Sequence, residues 1–284
     1  MNLTSMRFKK PQSLGKRPPR PRPTSSRVIA GVPAFWQTAH DYMPEFFPVA
    51  NDLPSLANRL LAKPVRGKLA VLIYFHAAIV ADSFGALIIL CLNGYCQDAV
   101  VIARSMFEYA LNARYLQQAP LPEVDDYIDF HWVRQKKYYD YLVRFASEDA
   151  AKIPASTVQR MKEEFAKVET RFLRKNKKGL RDSWSARSIR ERADSVGMGE
   201  FYPTFYAMAS GLAHGDISGL GARSAKDSLK IVKAPSVSGM KTALQMGHMA
   251  FLTTFAVLNA VGGLSLDDDL NKAKDDFLRI WRKP

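Results

Sequence analysis

Cysteine is scarce in this chain, which limits both its redox chemistry and its metal chemistry. The 284 residues include two cysteines, Cys91 and Cys96, and their spacing matches no metal-binding or redox motif. A disulfide framework is therefore excluded as the basis of the fold, and a reducing cytoplasm is the predicted compartment. We interpret both residues as small, buried hydrophobic side chains with free thiols.

Several common catalytic and metal-binding motifs are missing as well. The sequence contains no glycine-rich phosphate loop, no His-Glu-x-x-His, no Cys-x-x-Cys and no nucleophile elbow. Most of the histidines stand apart from other candidate ligands in the sequence, namely His40, His76, His131 and His248. We therefore predict neither a metal site nor another cofactor.

Acidic residues are absent from residues 1–30, which hold eight lysines or arginines and many prolines. The whole chain has a formal net charge of +14, so this segment contributes eight of those charges and leaves +6 for the remainder. A basic, proline-rich segment has too few apolar side chains to form a core, which predicts a disordered tail over residues 1–30. The tail is either a solvated extension or a weak electrostatic anchor for a polyanion.

Long runs of apolar and helix-forming residues dominate the chain after residue 30. They predict a single all-α domain over residues 31–284, a bundle of about seven to nine helices. The apolar run Leu69–Asn93 is almost long enough to cross a bilayer, and Val237–Leu264 is a second apolar run. Because His76 and Asp82 interrupt the first run, we interpret it as a central helix of a soluble bundle and expect no stable membrane insertion.

Further helices are predicted from apolar periodicity and capping residues, over Gln97–Gln118, Asp125–Phe145, Ser156–Lys177, Ala186–Val196, Tyr206–His214 and Leu266–Trp281. A short strand is an option for Ser228–Val232. Cations alternate with aromatic rings in Asp125–Phe145, a pattern that favours an amphipathic helix whose long cationic side chains cover apolar surface. The same pattern also occurs in proteins that stack the bases of single-stranded nucleic acid, and this alternative stays open.

Two ladders of polar side chains recur at intervals of four residues in helices that are otherwise rich in small and apolar residues. They consist of Arg104, Glu108 and Asn112 and of Tyr206, Ser210 and His214. Because four residues make slightly more than one helical turn, each ladder lies on one face of its helix. Buried polar groups need partners, so we expect the two helices to lie side by side, with Glu108 within hydrogen-bonding distance of His214.

This candidate cluster allows two interpretations. In the catalytic one, His214 is the general acid or base, Glu108 orients it, and Arg104 stabilises phosphoryl charge. In this interpretation, the substrate is positioned by Tyr206, Ser210 and Asn112. In the structural one, the same cluster is an inert clamp between two core helices.

These motifs resemble those of an uncharacterised all-helical family, domain of unknown function 5677. The resemblance covers roughly residues 68–220. It depends on Gly94-Tyr95, Arg104-Ser-Met-Phe-Glu108, Asn112, Tyr115-Leu116, Trp184 and Tyr206-x-x-x-Ser210-x-x-x-His214. It implies an α-helical bundle and brings no established activity.

More remotely, the chain is similar to HEPN (higher eukaryotes and prokaryotes nucleotide-binding) domains. Those helical bundles are often metal-independent ribonucleases of defence or toxin systems, with an Arg–x(4–6)–His motif. The chain departs from that motif, because no arginine lies at that spacing before His214. An arginine–histidine pair would have to form in space, with Arg104.

The resulting hypothesis is a ribonuclease or nucleotide-acting protein of a prokaryotic defence or stress system, with RNA or a nucleotide as its partner. It would use a buried arginine, glutamate and histidine cluster. The alternative is a non-catalytic helical interaction or ligand-sensing module, in which the same cluster is a structural hydrogen-bond network. A homodimer formed through helices is a further hypothesis about partners.

Overall fold

The chain folds as an all-α protein in the computed structural model, which describes residues 33–174, 179–214 and 234–282. The helices are α1 (Pro33–Tyr42), α2 (Phe46–Ala50), α3 (Leu53–Leu61), α4 (Lys68–Leu92), α5 (Cys96–Gln118), α6 (Leu121–Phe145), α7 (Ser147–Ala151), α8 (Ala155–Val168), α9 (Ile189–Ser195), α10 (Met208–His214), α11 (Met240–Gly262) and α12 (Asp267–Trp281). A 3₁₀ turn, Glu169–Phe172, follows α8, and a π-helical turn, Tyr202–Ala207, precedes α10. The all-α prediction is confirmed, and the described ranges hold more helices than the predicted number of about seven to nine.

Three long helices, α4, α5 and α11, form the centre of the fold and contact one another. Each has an apolar face with fully buried side chains, for example Leu87 on α4, Phe107 on α5 and Phe255 on α11. Burying a side chain of this size stabilises the folded state by roughly 1.5–3 kcal/mol. Buried residues from α1 to α12 join one hydrophobic cluster, so the shorter helices are anchored to this centre.

Several helix boundaries differ from the prediction, and two of them have clear local reasons. Pro122 lies in the first turn of α6, where its missing N–H is harmless, so α6 begins ahead of the predicted Asp125. The helix predicted to reach Lys177 ends at Val168 and continues as the 3₁₀ turn, which places Phe172 in the core. The predicted tail over residues 1–30 and the optional strand at residues 228–232 lie outside the described residues.

The turn between α4 and α5 carries a contact that positions the start of α11. Gly94 has a φ of +77°, and a Cβ at this position would overlap Pro235. The Gly94 carbonyl accepts a hydrogen bond from the Ser236 amide at 3.0 Å. Because glycine alone combines this backbone conformation with so close an approach, the segment that leads into α11 is held against the end of α4.

Two helices, α4 and α11, are long and apolar enough to span a membrane by length and composition. The share of the apolar window that is buried is 33% in α4 and 67% in α11. A mostly buried apolar helix is also typical of the core of a globular protein. The two helices are therefore weak evidence for a membrane span.

Candidate functional site

Arg104 links the two polar ladders. Its Nε donates to Ser210 Oγ at 3.1 Å, and its Nη2 donates to Tyr206 OH at 2.9 Å. Nη2 also lies 3.0 Å from Glu108 Oε1, an ion pair along one turn of α5. The guanidinium lies over the Tyr206 ring, 4.6 Å from its centroid. These contacts confirm that the two helices lie side by side.

His214 does not join this cluster. It is the last residue of α10 and is exposed, and within the described residues no hydrogen bond or ion pair joins it to Glu108, whose partner is Arg104. The predicted contact between Glu108 and His214 is therefore wrong. Each step of four residues overshoots a helical turn by about 40°. Tyr206 also lies in the π-helical turn before α10, so the three residues do not share one regular helix face, and His214 turns away from the contact with α5.

The cluster is half-buried, whereas the sequence predicted a buried one. The side chain of Arg104 is 16% exposed and that of Glu108 is 37% exposed, whereas Tyr206 is buried. Burial raises the pKa of Tyr206, and the nearby Glu108 carboxylate raises it further. The tyrosine hydroxyl therefore stays protonated near pH 7, and the network presents Glu108 to solvent.

A cavity of about 730 Å³ opens beside this network, between α5, α6 and the segment that leads into α9. This volume is typical of sites for small molecules. Its polar lining consists of Ser105, Glu108, Asn112, His131, Arg134, Asp182, Ser183, Arg187, Ser188 and Arg192. Its apolar lining consists of Tyr109, Tyr127, Phe130, Trp184 and Ile189. Two of the predicted site residues, Glu108 and Asn112, therefore face one cavity.

Arg192 is a buried cation in the wall of this cavity. It is 4% exposed, its Nη1 donates to Asn112 Oδ1, and its guanidinium lies 4.9 Å from the centroid of the Trp184 ring. Its Nε makes no hydrogen bond to any described residue. Burial lowers the pKa of Arg192, and the Glu108 carboxylate counteracts this effect. Since an arginine keeps its proton at neutral pH, the wall carries a positive charge with an unused donor.

Arg192 was not among the predicted site residues, although its position relative to neighbouring apolar residues indicates burial. Ile189, Arg192 and Val196 follow at i, i+3 and i+7, the spacing of one helix face, and an arginine there has to be buried with the apolar residues. The start of that helix is fixed by a capping box formed by Ser188 and Glu191. Ser188 Oγ accepts from the Glu191 amide at 3.2 Å, and Glu191 Oε2 accepts from the Ser188 amide at 2.6 Å.

A chain of hydrogen bonds leads from Arg192 into the core. Asn112 accepts from Arg192 and lies near the Tyr127 hydroxyl, whose pKa burial raises and Asn112 helps to lower. That hydroxyl lies 2.8 Å from His76 Nε2. Burial lowers the pKa of His76 to about 4 and raises the pKa of Tyr127 to about 12. Both side chains are therefore neutral near pH 7, and the chain fixes the Asn112 amide that holds Arg192.

Outside the cavity, α6 carries a row of exposed aromatic side chains. Tyr138, Tyr141 and Phe145 are 60%, 59% and 63% exposed, and they follow Arg134 of the cavity rim at helical spacing. Arg144 lies 4.9 Å from the centroid of the Phe145 ring. The residues buried by α6 are instead Val124, Phe130 and Val133. These three rings are thus not the apolar face of an amphipathic helix, and the row leads away from the cavity rim.

Comparison with known protein families places these residues inside a single match. The sequence matches the model of a family of unknown function, DUF5677, over residues 69–229. That range is more than half of the chain and includes the Arg104 cluster and the whole lining of the cavity, and it confirms the resemblance seen in the motifs. Neither curated proteins nor solved structures gave a match.

Proposed function

The chain belongs to the family of unknown function DUF5677, and we propose that the cavity between α5, α6 and α9 binds a nucleotide, free or at the end of an RNA strand. The observation that carries this proposal is Arg192. Its charge is buried in the cavity wall with one donor unused among the described residues. A buried charge with incomplete partners is unfavourable. A phosphate bound in the cavity would supply a compensating negative charge.

The rest of the lining suits a base and a phosphate. Arg134 and Arg187 line the same cavity and are exposed, so they add positive charge at its mouth. Tyr109, Tyr127 and Trp184 supply ring surface within the cavity. Bases stack on aromatic rings of this kind, and phosphates bind arginines.

Two carboxylates also line the cavity, but each has cationic partners. Glu108 lies 3.0 Å from Arg104. Asp182 lies 2.9 Å from Lys137 and 2.8 Å from Arg174. Because these acids have cationic partners outside the cavity, they offset the charge of the lining arginines only in part.

Titration of the full chain with adenosine 5′-monophosphate tests the proposal. We expect saturable binding of the nucleotide that is tighter than the binding of adenosine or of inorganic phosphate, because only the nucleotide has both a base and a phosphate. Arg187→Glu should weaken binding by about tenfold or more, since it reverses a charge beside the phosphate. Arg190→Glu is the matched control, because Arg190 lies on α9 outside the cavity lining and pairs with Asp194 at 3.9 Å.

Two outcomes would overturn nucleotide binding. One is an affinity for the nucleotide no higher than that for inorganic phosphate. The other is an equal effect of the two arginine substitutions, which would show that overall charge alone attracts the ligand.

A short single-stranded RNA distinguishes the two sources of the nucleotide. If the ligand is the end of an RNA strand, Tyr141→Ser should weaken RNA binding and leave mononucleotide binding unchanged, because the row of rings on α6 would stack the following bases. If the ligand is a free nucleotide, RNA should bind no more tightly than the mononucleotide.

A ribonuclease is the second candidate, favoured by the position of Glu108. Its carboxylate is 37% exposed, lines the cavity and lies beside Arg104, so it could exchange a proton with a bound ligand while an arginine stabilises phosphoryl charge. Incubation with RNA is the test. Cleavage by the wild type that is lost in Glu108→Gln would support it, and His214→Ala would show whether His214 has the predicted acid or base role.

The defence or stress role, the cytoplasmic location and the homodimer stay predictions.

A further inference from the structure

A second cavity, of about 510 Å³, lies between α11, α12 and the turn that follows α9. Its volume is within the range of small-molecule sites. Its floor includes the buried side chains Met198, Met249 and Val257, and the half-buried Leu252 and Phe277 extend the apolar wall. It shares no lining residue with the cavity at Arg192. An apolar wall of this kind favours a ligand with a hydrocarbon part.

The charges around this second cavity are all of one sign. The lining includes Arg114 from α5, Lys274 from α12 and Arg282, which directly follows α12, and no carboxylate belongs to the lining among the described residues. The remaining polar contributions come from Thr253 and Asn271, which are neutral. The cavity therefore combines an apolar wall with a positive rim, which is the complement of an amphiphilic anion.

We propose that this cavity binds a single-chain fatty carboxylate. The alkyl chain lies along the apolar wall formed by Met249 and Leu252 of α11 and Phe277 of α12, where burial of its methylene groups drives binding. The carboxylate lies at the rim, where Lys274 and Arg282 supply charge-assisted donors.

Charge rules out other occupants of this cavity. The segment over residues 1–30 carries eight cations and no acid, so it would be repelled by the three cations of the rim. A small inorganic anion would satisfy the rim but leave the apolar wall exposed. An alkyl cation would satisfy the wall but meet like charge at the rim.

Calorimetric titration of the full chain with dodecanoate, below the concentration at which it forms micelles, tests this proposal. We expect saturable binding at one site. Acetate, which has the charge without the chain, should not bind measurably. Dodecyltrimethylammonium, which has the chain with the opposite charge, should not saturate the site.

Two substitutions and one matched control locate the site. Lys274→Glu should weaken dodecanoate binding by about tenfold or more, because it replaces an attraction with a repulsion. Ala256→Phe, on the exposed part of the lining in α11, should abolish binding by filling the space of the chain while leaving the rim charges intact. Lys272→Glu is the control, since Lys272 is exposed on the same helix but does not line this cavity.

The proposal fails if Lys274→Glu and Lys272→Glu weaken binding equally, or if dodecyltrimethylammonium binds as well as dodecanoate. It also fails if Ala256→Phe, with an unchanged thermal melting curve, binds dodecanoate as the wild type does. None of these results depends on nucleotide binding, because the two cavities have separate linings.

Discussion

At the residue scale, Arg104 has partners on two helices, and Glu108 is the one whose loss should matter least for stability. The pair lies along one helix, and the Glu108 side chain is 37% exposed. Solvated pairs of this kind contribute about 0.2–1 kcal/mol. We therefore expect Glu108→Ala to lower the free energy of unfolding by about 1 kcal/mol or less, as measured by equilibrium unfolding in urea.

Double-mutant cycles extend this prediction to the neighbours of Glu108. Arg104 and Glu108 are in contact, so their substitutions should be non-additive. Glu108 and His214 are not joined, so Glu108→Ala and His214→Ala should add to within about 0.5 kcal/mol. A larger coupling between the second pair would mean that the contact predicted from the ladder spacing forms in solution after all.

Two buried histidines should make the fold sensitive to mild acid. His76 and His248 are 3% and 0% exposed, and burial lowers the pKa of each from 6.5 to about 4. Between these values the unfolded chain binds more protons than the folded chain. The stability contributed by the neutral histidines is therefore fully present above pH 6.5 and is lost as the pH falls toward 4. We expect each histidine to account for a loss of about 2 kcal/mol between pH 7 and pH 5.

Urea unfolding at pH 7 and pH 5 measures this effect. His76→Gln and His248→Gln should each reduce the difference in unfolding free energy between the two pH values, whatever their effect at pH 7. His40→Gln is the control, because His40 is exposed. An equal pH dependence in the wild type and all three variants would show that other groups cause the acid sensitivity.

At the scale of helices, two glycines on facing central helices should respond in opposite ways to the same substitution. A Cβ on Gly85 of α4 would meet nothing within 4 Å, whereas a Cβ on Gly247 of α11 would lie 2.7 Å from Leu87 Cδ1. Gly85→Ala should therefore raise the free energy of unfolding by about 0.5–1 kcal/mol, the difference in helix propensity. Gly247→Ala should lower it, because the buried Leu87 has to move.

Thermal unfolding of the two variants checks this comparison, since each acts as the control for the other. If both raise the melting temperature, α4 and α11 do not approach each other as closely at Gly247 as the structure has it. If both lower the melting temperature, an alanine side chain at position 85 meets neighbouring atoms that the structure does not place there.

The helices could be predicted because the sequence patterns that indicate them are local. The site was harder to predict because the residues that contact one another in it are far apart in the sequence. Apolar periodicity and capping residues predicted most helices, including the one at Ser188 and Glu191. The ladders predicted that Arg104 meets the helix of Tyr206 and Ser210, since polar groups on apolar helices need partners. To predict that His214 turns out of the interface would have required the exact helix register, which the residue spacing alone does not provide. The burial of Arg192 against Asn112, 80 positions away along the chain, had no local signal beyond its spacing.

At the scale of the whole molecule, three of the places that carry positive charge have different surroundings. Residues 1–30 hold eight cations and no acid. The first cavity combines arginines with aromatic rings, and the second combines cations with an aliphatic and aromatic wall. Because neighbouring groups decide which anion each place prefers, the overall basic character of the chain does not by itself indicate a partner.

The arrangement of α4, α5 and α11 leads to a prediction about membranes. Withdrawing α11 into a bilayer would separate it from α5 and expose the core that they share. It would also break the contacts of Asn259, whose side chain donates to Asp267 at 2.9 Å and accepts from the Leu266 amide at 3.0 Å. We therefore expect the full chain to remain in the supernatant when membranes are sedimented, and any adsorbed fraction to be released by alkaline carbonate.

A substitution of Asp82 tests the prediction about membrane insertion more directly. It is exposed near the middle of α4, among the exposed apolar side chains Phe75, Ile79 and Ile89. An aspartate at the centre of a membrane span is unfavourable by about 2.5–3.5 kcal/mol, so it opposes insertion of the one central helix whose apolar window is mostly unburied. Asp82→Leu should increase the fraction that sediments with membranes and resists carbonate. A wild-type chain that already resists carbonate extraction would mean that α4 spans the membrane and that the contacts of the three central helices form within it.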